Sequence, residues 1–302
     1  MKSLYIFFLF LCCAPLLVTA QETEDEPKKV VVDKPERPAF ESNFLIDNPT
    51  DKIYLKNSLE VVFQHRFGTI GGGSNDLAGI WAPANIRIGV AYTVLDWLQV
   101  GFGTTKFERL QDFNWKVGLL KQTRSGRVPV NLSYYGNFAI NARSKENFNL
   151  EQDRYSFFHQ LIISRRFNQN LSLQVAPSLS HYNLVPEGMP NDMLGVGFGG
   201  RYKVSPQTAI TVEYSLPIPL TGITENPDTA GIVTDFPNGS VEPEAGFSVG
   251  MEFVTSSHAF QVYVSSLNGI VPQVNYFKNQ NRFWDGWDGI LLGFTITRLY
   301  NF

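Results

Sequence analysis

Segments that alternate strictly between apolar and polar residues recur along most of this 302-residue chain. A period of two puts one set of side chains on each face of a β-strand. In one example the apolar set is Ile86, Ile88, Val90, Tyr92 and Val94, and the opposing set is Asn85, Arg87, Gly89, Ala91 and Thr93. The pattern predicts an all-β fold of about twelve strands, near residues 52–66, 84–94, 97–107, 111–121, 128–140, 155–167, 171–182, 193–204, 207–216, 244–255, 258–267 and 288–302.

The lengths of these segments favour a membrane. Most of them span 10–13 residues, close to the ~9–11 that a tilted strand needs to cross a bilayer, whereas soluble strands cluster near about 5–6. Short joints such as 95–96 and 205–206 alternate with long ones such as 217–243, although the connections near 108–110 and 122–127 break this order. Tight turns at one end of the barrel and long loops at the other are typical of a membrane barrel. We therefore predict an antiparallel transmembrane outer-membrane β-barrel over residues 51–302, with a strand count uncertain by two.

The C-terminal segment Ile290–Phe302 alternates with little error and ends on an aromatic residue. This pattern predicts the closing strand of the barrel, paired with the strand that starts near Lys52. The segment resembles the terminal aromatic signal by which barrel assembly machinery recognises its clients. We expect that machinery as a partner during insertion and outer-membrane lipid as the permanent surroundings.

The N-terminal fifty residues carry two different signals. Lys2, a short apolar run and a small-residue exit at Ala20 predict a cleaved signal peptide over residues 1–20. Both cysteines, Cys12 and Cys13, lie within it, so disulfides and cysteine metal sites are not expected in the mature chain. Residues 21–50 begin with an acidic, proline-containing stretch, and we predict a disordered periplasmic extension there.

Several classes of function lack support in the sequence. The net charge of −3 provides no basic field for nucleic acid, and the four histidines are not at metal-ligand spacing. The G-x-S-x-G match at Gly246–Gly250 and the G-x-G-x-x-G match at Gly195–Gly200 lie inside alternating strands, where neither motif works. No metal or cofactor is expected, and the chain is predicted not to be an enzyme. A lipid hydrolase that uses His159 with Ser156 or Ser164 is kept only as the third-ranked hypothesis for function.

Charged residues at inward positions of the predicted strands are the first set of candidate site residues. They would line a water-filled passage or pair across a closed interior. The set is Glu60, Arg66, Arg87, Lys116, Arg166, Arg201, Glu213 and Glu252. We take a channel for small polar solutes as the first hypothesis for function. A non-conducting scaffold that docks a periplasmic or surface protein partner is the second.

Two of the predicted loops contain further candidates. The loop 268–287 and the residue after it place Trp284, Asp285, Trp287 and Asp288 together, either as a recognition surface or as part of an outer aromatic girdle. Tyr276, Phe277 and Phe283 precede them. The glycine-rich loop Gly68–Pro83 is expected to be either a lumen constriction or an ordinary surface loop.

Short strings along nearly the whole mature chain resemble an uncharacterised family of membrane-bound β-barrel proteins from Bacteroidota. They include Leu45-Ile-Asp-Asn48, Gln64-His-Arg-Phe-Gly68, Ala84-Asn-Ile-Arg87, Val100-Gly-Phe-Gly-Thr-Thr-Lys106, Phe158-His-Gln-Leu-Ile-Ile-Ser-Arg165, Ser257-His-Ala-Phe-Gln261 and Thr297-Arg-Leu-Tyr-Asn-Phe302. The resemblance implies an outer-membrane barrel. It carries no function, because the family is defined as a domain of unknown function.

Overall fold

The computed structural model describes residues 33–186, 189–221, 231–232 and 242–302. The predicted signal peptide and the extension up to residue 32 lie outside the described residues. From Lys34 onward the chain forms one compact unit.

Twelve antiparallel strands form a closed barrel, as the sequence predicts. Each strand pairs with its neighbours in chain order, and the last strand pairs with the first, with Asn301 opposite Ser58. The strands are β1 (Ser58–Thr69), β2 (Asn85–Leu95), β3 (Leu98–Thr105), β4 (Leu110–Leu120), β5 (Asn131–Asn141), β6 (Tyr155–Arg166), β7 (Leu171–Tyr182), β8 (Asp192–Lys203), β9 (Thr208–Thr221), β10 (Gly246–Val254), β11 (His258–Ser265) and β12 (Leu291–Asn301). A two-residue strand, Gly231–Ile232, pairs with the end of β9.

The two faces of the barrel wall differ in chemistry. Large apolar side chains cover the outside, where Ile88 and Val262 are 49% and 50% exposed. The alternate positions point inward and are mostly polar and buried, such as Gln64, Gln99 and Ser133. Exposed apolar strands of this kind need lipid around them, whereas a soluble barrel would bury the apolar face. Among the described residues, no helix combines the length and apolarity needed to cross a bilayer.

The connections are sorted between the two ends of the barrel. One end, here called the turn end, has the short joints 96–97, 167–170, 204–207 and 255–257 and the ten-residue joint 121–130. The other, the loop end, has the longer connections and one short connection, residues 106–109, which contains the 3₁₀ turn Phe107–Arg109. A short helix, α1 (Pro272–Lys278), lies in the connection between β11 and β12.

Residues 34–50 are not a flexible extension in the structure. Ala39, Phe40, Leu45 and Ile46 are each at most 2% exposed, because this stretch runs inside the barrel. The acidic, proline-containing composition that predicts disorder is concentrated in residues 21–38, while residues 39–50 supply mainly apolar and neutral polar side chains that the lumen can bury. The first strand also begins later than predicted, at Ser58, since residues 51–57 lead from the lumen to the wall.

Candidate functional site: the interior of the barrel

Residues 43–50 form a tight hairpin inside the barrel, called here the plug hairpin. The amide of Thr50 donates to the carbonyl of Asn43 at 2.9 Å, and the amide of Leu45 donates to the carbonyl of Asn48 at 3.0 Å. The run Asp47-Asn48-Pro49 consists of residues that favour turns. The chain therefore enters the lumen from the turn end, reverses at Ile46 and Asp47, and returns toward β1.

Glu213 on β9 holds the tip of the plug hairpin. Its carboxylate accepts the backbone amides of Ile46 at 2.8 Å and of Asp47 and Asn48 at 3.0 Å. The side-chain amide of Asn48 donates to the same carboxylate at 3.0 Å. Successive backbone N–H groups that converge on one anion form a nest, which compensates a buried negative charge. This contact joins residues 166 positions apart in sequence, counted from Asp47.

Arg66 on β1 holds the same tip from the other side. Its guanidinium forms an ion pair with Asp47, and both side chains are almost fully buried. The guanidinium also donates to the carbonyl of Leu267 at 2.5 Å and to Ser265 Oγ at 3.3 Å. Burial raises the pKa of Asp47 above its ordinary value, while the charge of Arg66 opposes that rise.

Glu252 on β10 binds the chain just before the plug hairpin. The hydroxyl of Ser42 donates to its carboxylate at 2.6 Å, and Arg201 donates to the same carboxylate at 2.6 Å. All three side chains are buried. The hairpin stem is thus tied to an ion pair that spans the wall between β8 and β10.

Asn43 at the base of the plug hairpin binds two charged wall residues. Its side-chain amide donates to Glu60, and its side-chain oxygen accepts from Lys116 Nζ at 2.7 Å. Lys116 also donates to the carbonyl of Lys52 at 3.0 Å, on the returning strand of the segment. One neutral amide therefore bridges a carboxylate and an ammonium group across the lumen.

The structure places the predicted lumen residues as follows. Glu60, Arg66, Lys116, Glu213 and Glu252 contact residues 42–52. Arg201 donates to Glu252, which in turn contacts Ser42. Arg166 lies at the turn-end rim, where it donates to the carbonyl of Pro38 at 3.4 Å. Arg87 pairs with Asp112 at 2.7 Å and donates to Gln64. Asp112 completes this ion pair, although the sequence prediction did not include it.

Three inward glycines of β8 make room for the segments in the lumen. A Cβ atom on Gly197 would lie 2.6 Å from Asn48 Oδ1, and one on Gly199 would lie 2.6 Å from Leu45 Cδ2. A Cβ on Gly195 would lie 2.4 Å from the ring of Tyr276. The G-x-G-x-x-G string thus forms a groove for the plug hairpin and α1.

Helix α1 fills the lumen toward the loop end. Its residues Pro272–Phe277 are buried, and the ring of Tyr276 stacks on Phe158 of β6 at 5.9 Å. The hydroxyl of Tyr276 donates to Asn48 Oδ1 at 3.4 Å, so α1 touches the tip of the plug hairpin. Gly68–Pro83 was the loop considered as a constriction, but Gly71–Asn75 in it are exposed. The loop that folds into the lumen is instead the β11–β12 connection, which contains α1.

The candidate recognition residues of that connection remain at the surface. Trp284 is 80% exposed and Trp287 67% exposed, and Asp285 and Asp288 are also exposed. The ring of Trp284 lies 5.8 Å from the ring of Phe247, which belongs to the outward face of β10. This contact favours the girdle interpretation for Trp284. Tyr276 and Phe277, which precede these residues, are buried and take no part in a surface site.

The residues that a lipid hydrolase, the third-ranked hypothesis, would use lie on opposite faces of the wall. Ser156 and Ser164 are buried on the inner face, whereas His159 is exposed on the outer face and bonds to the hydroxyl of Tyr134 at 2.6 Å. Ser248 of the G-x-S-x-G match lies within β10 and bonds to Ser265. In the described part of the chain, no cluster of three or more His, Cys, Asp or Glu side chains is placed to hold a metal ion.

Much of the inner wall consists of amides and hydroxyls that the lumen segments do not pair. In the described residues, buried polar atoms without a hydrogen-bond partner include Gln64 Nε2, Gln99 Nε2, Gln174 Oε1, Ser178 Oγ, Ser180 Oγ and Thr211 Oγ1. If the lumen only had to be packed with protein, apolar side chains on the inner wall would be more stable, because they leave no buried polar group unpaired. Amide and hydroxyl groups are suited to a hydrated surface.

An antiparallel barrel whose apolar side chains face outward and whose polar side chains face inward has the architecture of a membrane-bound β-barrel. The chain belongs to the membrane bound beta barrel domain family (DUF5777), whose sequence profile matches residues 40–300. No curated protein matches the chain. The match begins at Phe40, so it covers the residues of the plug hairpin as well as those of the barrel.

Three solved structures are similar to this chain at low sequence identity and with TM-scores below 0.5. The NanC porin is 5% identical, with 81% of this chain and 99% of that chain covered at a TM-score of 0.48. The COG4313 outer membrane channel from Pseudomonas putida F1 is 10% identical, with coverages of 82% and 97% and a TM-score of 0.47. Salmonella typhi OmpF in complex with daunomycin is 7% identical, with coverages of 81% and 97% and a TM-score of 0.39.

Proposed function

We propose that this protein is an outer-membrane channel for small polar solutes that its own plug hairpin and helix α1 hold closed. The observation that carries the proposal is how the lumen is filled. Two segments that are not part of the wall occupy it, one from each end, and the wall behind them is polar.

The size of the barrel supports this reading. Eight-stranded barrels are filled by wall side chains alone, and barrels of about sixteen strands leave a clear channel. Twelve strands lie between these limits. A barrel of this width that depends on inserted segments to close would leave a passage if those segments moved.

The way in which the plug hairpin is held supports reversible closure. Its contacts are hydrogen bonds and ion pairs with Glu60, Arg66, Lys116 and Glu213, all non-covalent. Each wall charge would regain water as a partner if the hairpin left, so the cost of release is moderated. Because the lumen charges are of both signs, we expect weak selectivity between anions and cations.

The sorting of the connections supports an orientation. Tight turns of outer-membrane barrels face the periplasm and long loops face outward. On this basis the plug hairpin enters from the periplasm and α1 from the external side. Partners or forces acting on the N-terminal segment would then be periplasmic.

The experiment is conductance in planar bilayers for four forms: the whole mature chain, a deletion of residues 34–50, a Gly-Ser replacement of residues 270–279, and both changes together. We expect low conductance for the whole chain, an increase for either single change, and the largest steady conductance for the combination. Circular dichroism and heat-dependent gel migration would establish that each form is a folded barrel. A folded combined form that passes neither ions nor small sugars would overturn the proposal.

A non-conducting docking scaffold is the second candidate. It is favoured by the exposed Trp81, Trp284 and Trp287 at the loop end, which offer aromatic surface beyond the barrel wall. Affinity purification in mild detergent would test it, comparing the whole chain with Trp284→Ala/Trp287→Ala. A partner retained by the first and lost from the second would support a scaffold. Identical partner sets would leave these tryptophans with the girdle role alone.

A further inference from the structure

A cleft of about 900 Å³ lies at the turn end of the barrel. Its walls come from the connections β4–β5, β6–β7 and β8–β9 and from the N-terminal segment at Glu36 and Arg37. The cleft is distinct from the plug hairpin and from the lumen contacts of Glu213 and Arg66.

Positive side chains dominate this cleft. Five are present, Arg37, Arg124, Arg165, Arg166 and Lys203, against one carboxylate, Glu36. The Glu36 carboxylate already accepts the backbone amide of Arg37 at 2.8 Å. Like charges brought together from separate segments repel each other unless an anion lies between them.

Only one of these cations has its donors committed to the protein. Arg166 donates to the carbonyls of Asn168, Gln169 and Pro38, which is a structural role. In the described part of the chain, the side chains of Arg37, Arg124 and Lys203 form no ion pair or side-chain hydrogen bond. Guanidinium groups recognise phosphate oxygens in a bidentate manner, and lysine adds a point charge.

The cleft opens onto the lipid-facing surface. The guanidinium of Arg165 lies 5.1 Å from the ring of Phe167, and Arg165 stands opposite Leu173 in the ladder between β6 and β7. Phe167, Tyr202 and Val204 are 52%, 51% and 50% exposed beside it. Cations at the edge of an apolar shelf match a lipid, with its phosphate in the cleft and its acyl chains on the shelf.

We propose that this cleft binds the phosphate group of an anionic phospholipid from the leaflet at the turn end. Arg37, Arg124 and Lys203 contact the phosphate, and Arg165 snorkels from the apolar shelf to the same group. The lipid would tie the start of the ordered N-terminal segment to three connections of the barrel. A soluble phosphate has the same chemistry, and the experiment separates the two sources.

The test uses the whole mature chain in dodecyl maltoside and native mass spectrometry. Dioleoyl phosphatidylglycerol is compared with dioleoyl phosphatidylcholine, and a parallel titration uses inorganic phosphate at constant ionic strength. The variant Arg124→Gln/Lys203→Gln removes two cleft charges, and Lys56→Gln/Arg298→Gln removes two exposed charges at the same end outside the cleft. We expect preferential retention of phosphatidylglycerol, weakened about tenfold in the first variant and unchanged in the second.

Inorganic phosphate that binds with the same dependence on Arg124 and Lys203, without a preference between the two lipids, would support the phosphate site with a soluble source. Equal retention of both lipids without phosphate binding, or equal loss in the two variants, would overturn the proposal. Conductance is not part of the readout, so failure here is distinguishable from failure of the channel proposal.

Discussion

Asp47 at the tip of the plug hairpin and Arg66 in the first strand form an almost fully buried ion pair. The pair joins the segment in the lumen to the wall, and Arg66 also donates to Leu267 at the start of the β11–β12 connection. One guanidinium therefore contacts the plug hairpin and the connection that contains α1. Any outward movement of the hairpin must break this pair.

Replacing Asp47 alone should release the plug hairpin. Asp47→Asn leaves the Arg66 charge buried without a counter-charge, which typically costs about 3–5 kcal/mol. We expect amide hydrogen exchange in residues 43–50 to accelerate by about a hundredfold or more. The double variant Asp47→Asn/Arg66→Gln should recover part of this loss, and a double-mutant cycle measures the coupling. A coupling energy near zero would contradict a holding role for the pair.

Glu213→Gln should weaken the hairpin tip without disturbing the barrel. The carboxylate accepts three backbone amides, whereas a glutamine presents an N–H group toward some of the same donors. Hydrogen bonds to a charged group are worth about 1.5–3 kcal/mol each, so we expect a loss of at least about 2 kcal/mol in hairpin protection from exchange. Glu244→Gln, at an ion pair with Arg282 outside the lumen, is the control. Equal protection in both variants would argue against the nest.

Gly197→Ala should displace the hairpin by steric means. The new Cβ would stand 2.6 Å from Asn48 Oδ1, closer than such contacts allow. We expect faster proteolysis between residues 39 and 50 with unchanged barrel melting. Gly200→Ala on the same strand faces outward, where the nearest atom is Leu173 Cδ2 at 3.2 Å, and serves as the matched control. If both variants resist protease like the parent, Gly197 is not required for seating the hairpin.

The strands could be predicted because their signal is local. Alternation at a period of two marks each wall segment, and all twelve predicted segments overlap strands of the barrel. The predicted and observed strands of the barrel differ only in where each strand begins and ends. β9 continues through Pro217 and Pro219 to Thr221, since these prolines are accommodated in its ladder with β8. Residues 52–57 continue the alternation of β1 but lie before the ladder begins.

The sequence analysis missed the plug hairpin because the contacts of the hairpin are long-range. Glu213 lies between Gly199 and Ser248 in the ladders, and Arg66 between Asn85 and Gly293, so neither charge has an opposite charge beside it on the wall. Their partners come from residues 46–48. The inward charges without wall partners, together with the turn-forming run at 47–49, are the signals that could have located the hairpin.

Asp51 should make the seating of the plug hairpin sensitive to pH. Burial raises the pKa of Asp51, and only part of that rise is offset by Ser164 and Lys116. A raised pKa in the folded form means that protonation favours the seated state at low pH, and that this contribution is lost as pH rises through the raised value. We expect hairpin exchange, corrected for intrinsic rates, to accelerate in the parent as the pH rises above the ordinary pKa of an aspartate. Asp51→Asn should reduce that dependence, and an unchanged profile would assign it to other groups.

A reducible disulfide between the plug hairpin and the wall would test most directly whether the hairpin closes the lumen to ions. Asn48 Cγ lies 3.0 Å from the position that a Cβ on Gly197 would take, so Asn48→Cys/Gly197→Cys places two thiols within reach of a disulfide. Cys12 and Cys13 are omitted with the predicted signal peptide. In bilayers, the oxidised form should remain closed, and reduction should produce conductance because the Asn48 bonds to Glu213 and Ser215 are gone. Asn48→Cys alone should conduct regardless of oxidant, whereas equal conductance of the oxidised and reduced double variant would show that the hairpin does not control the passage.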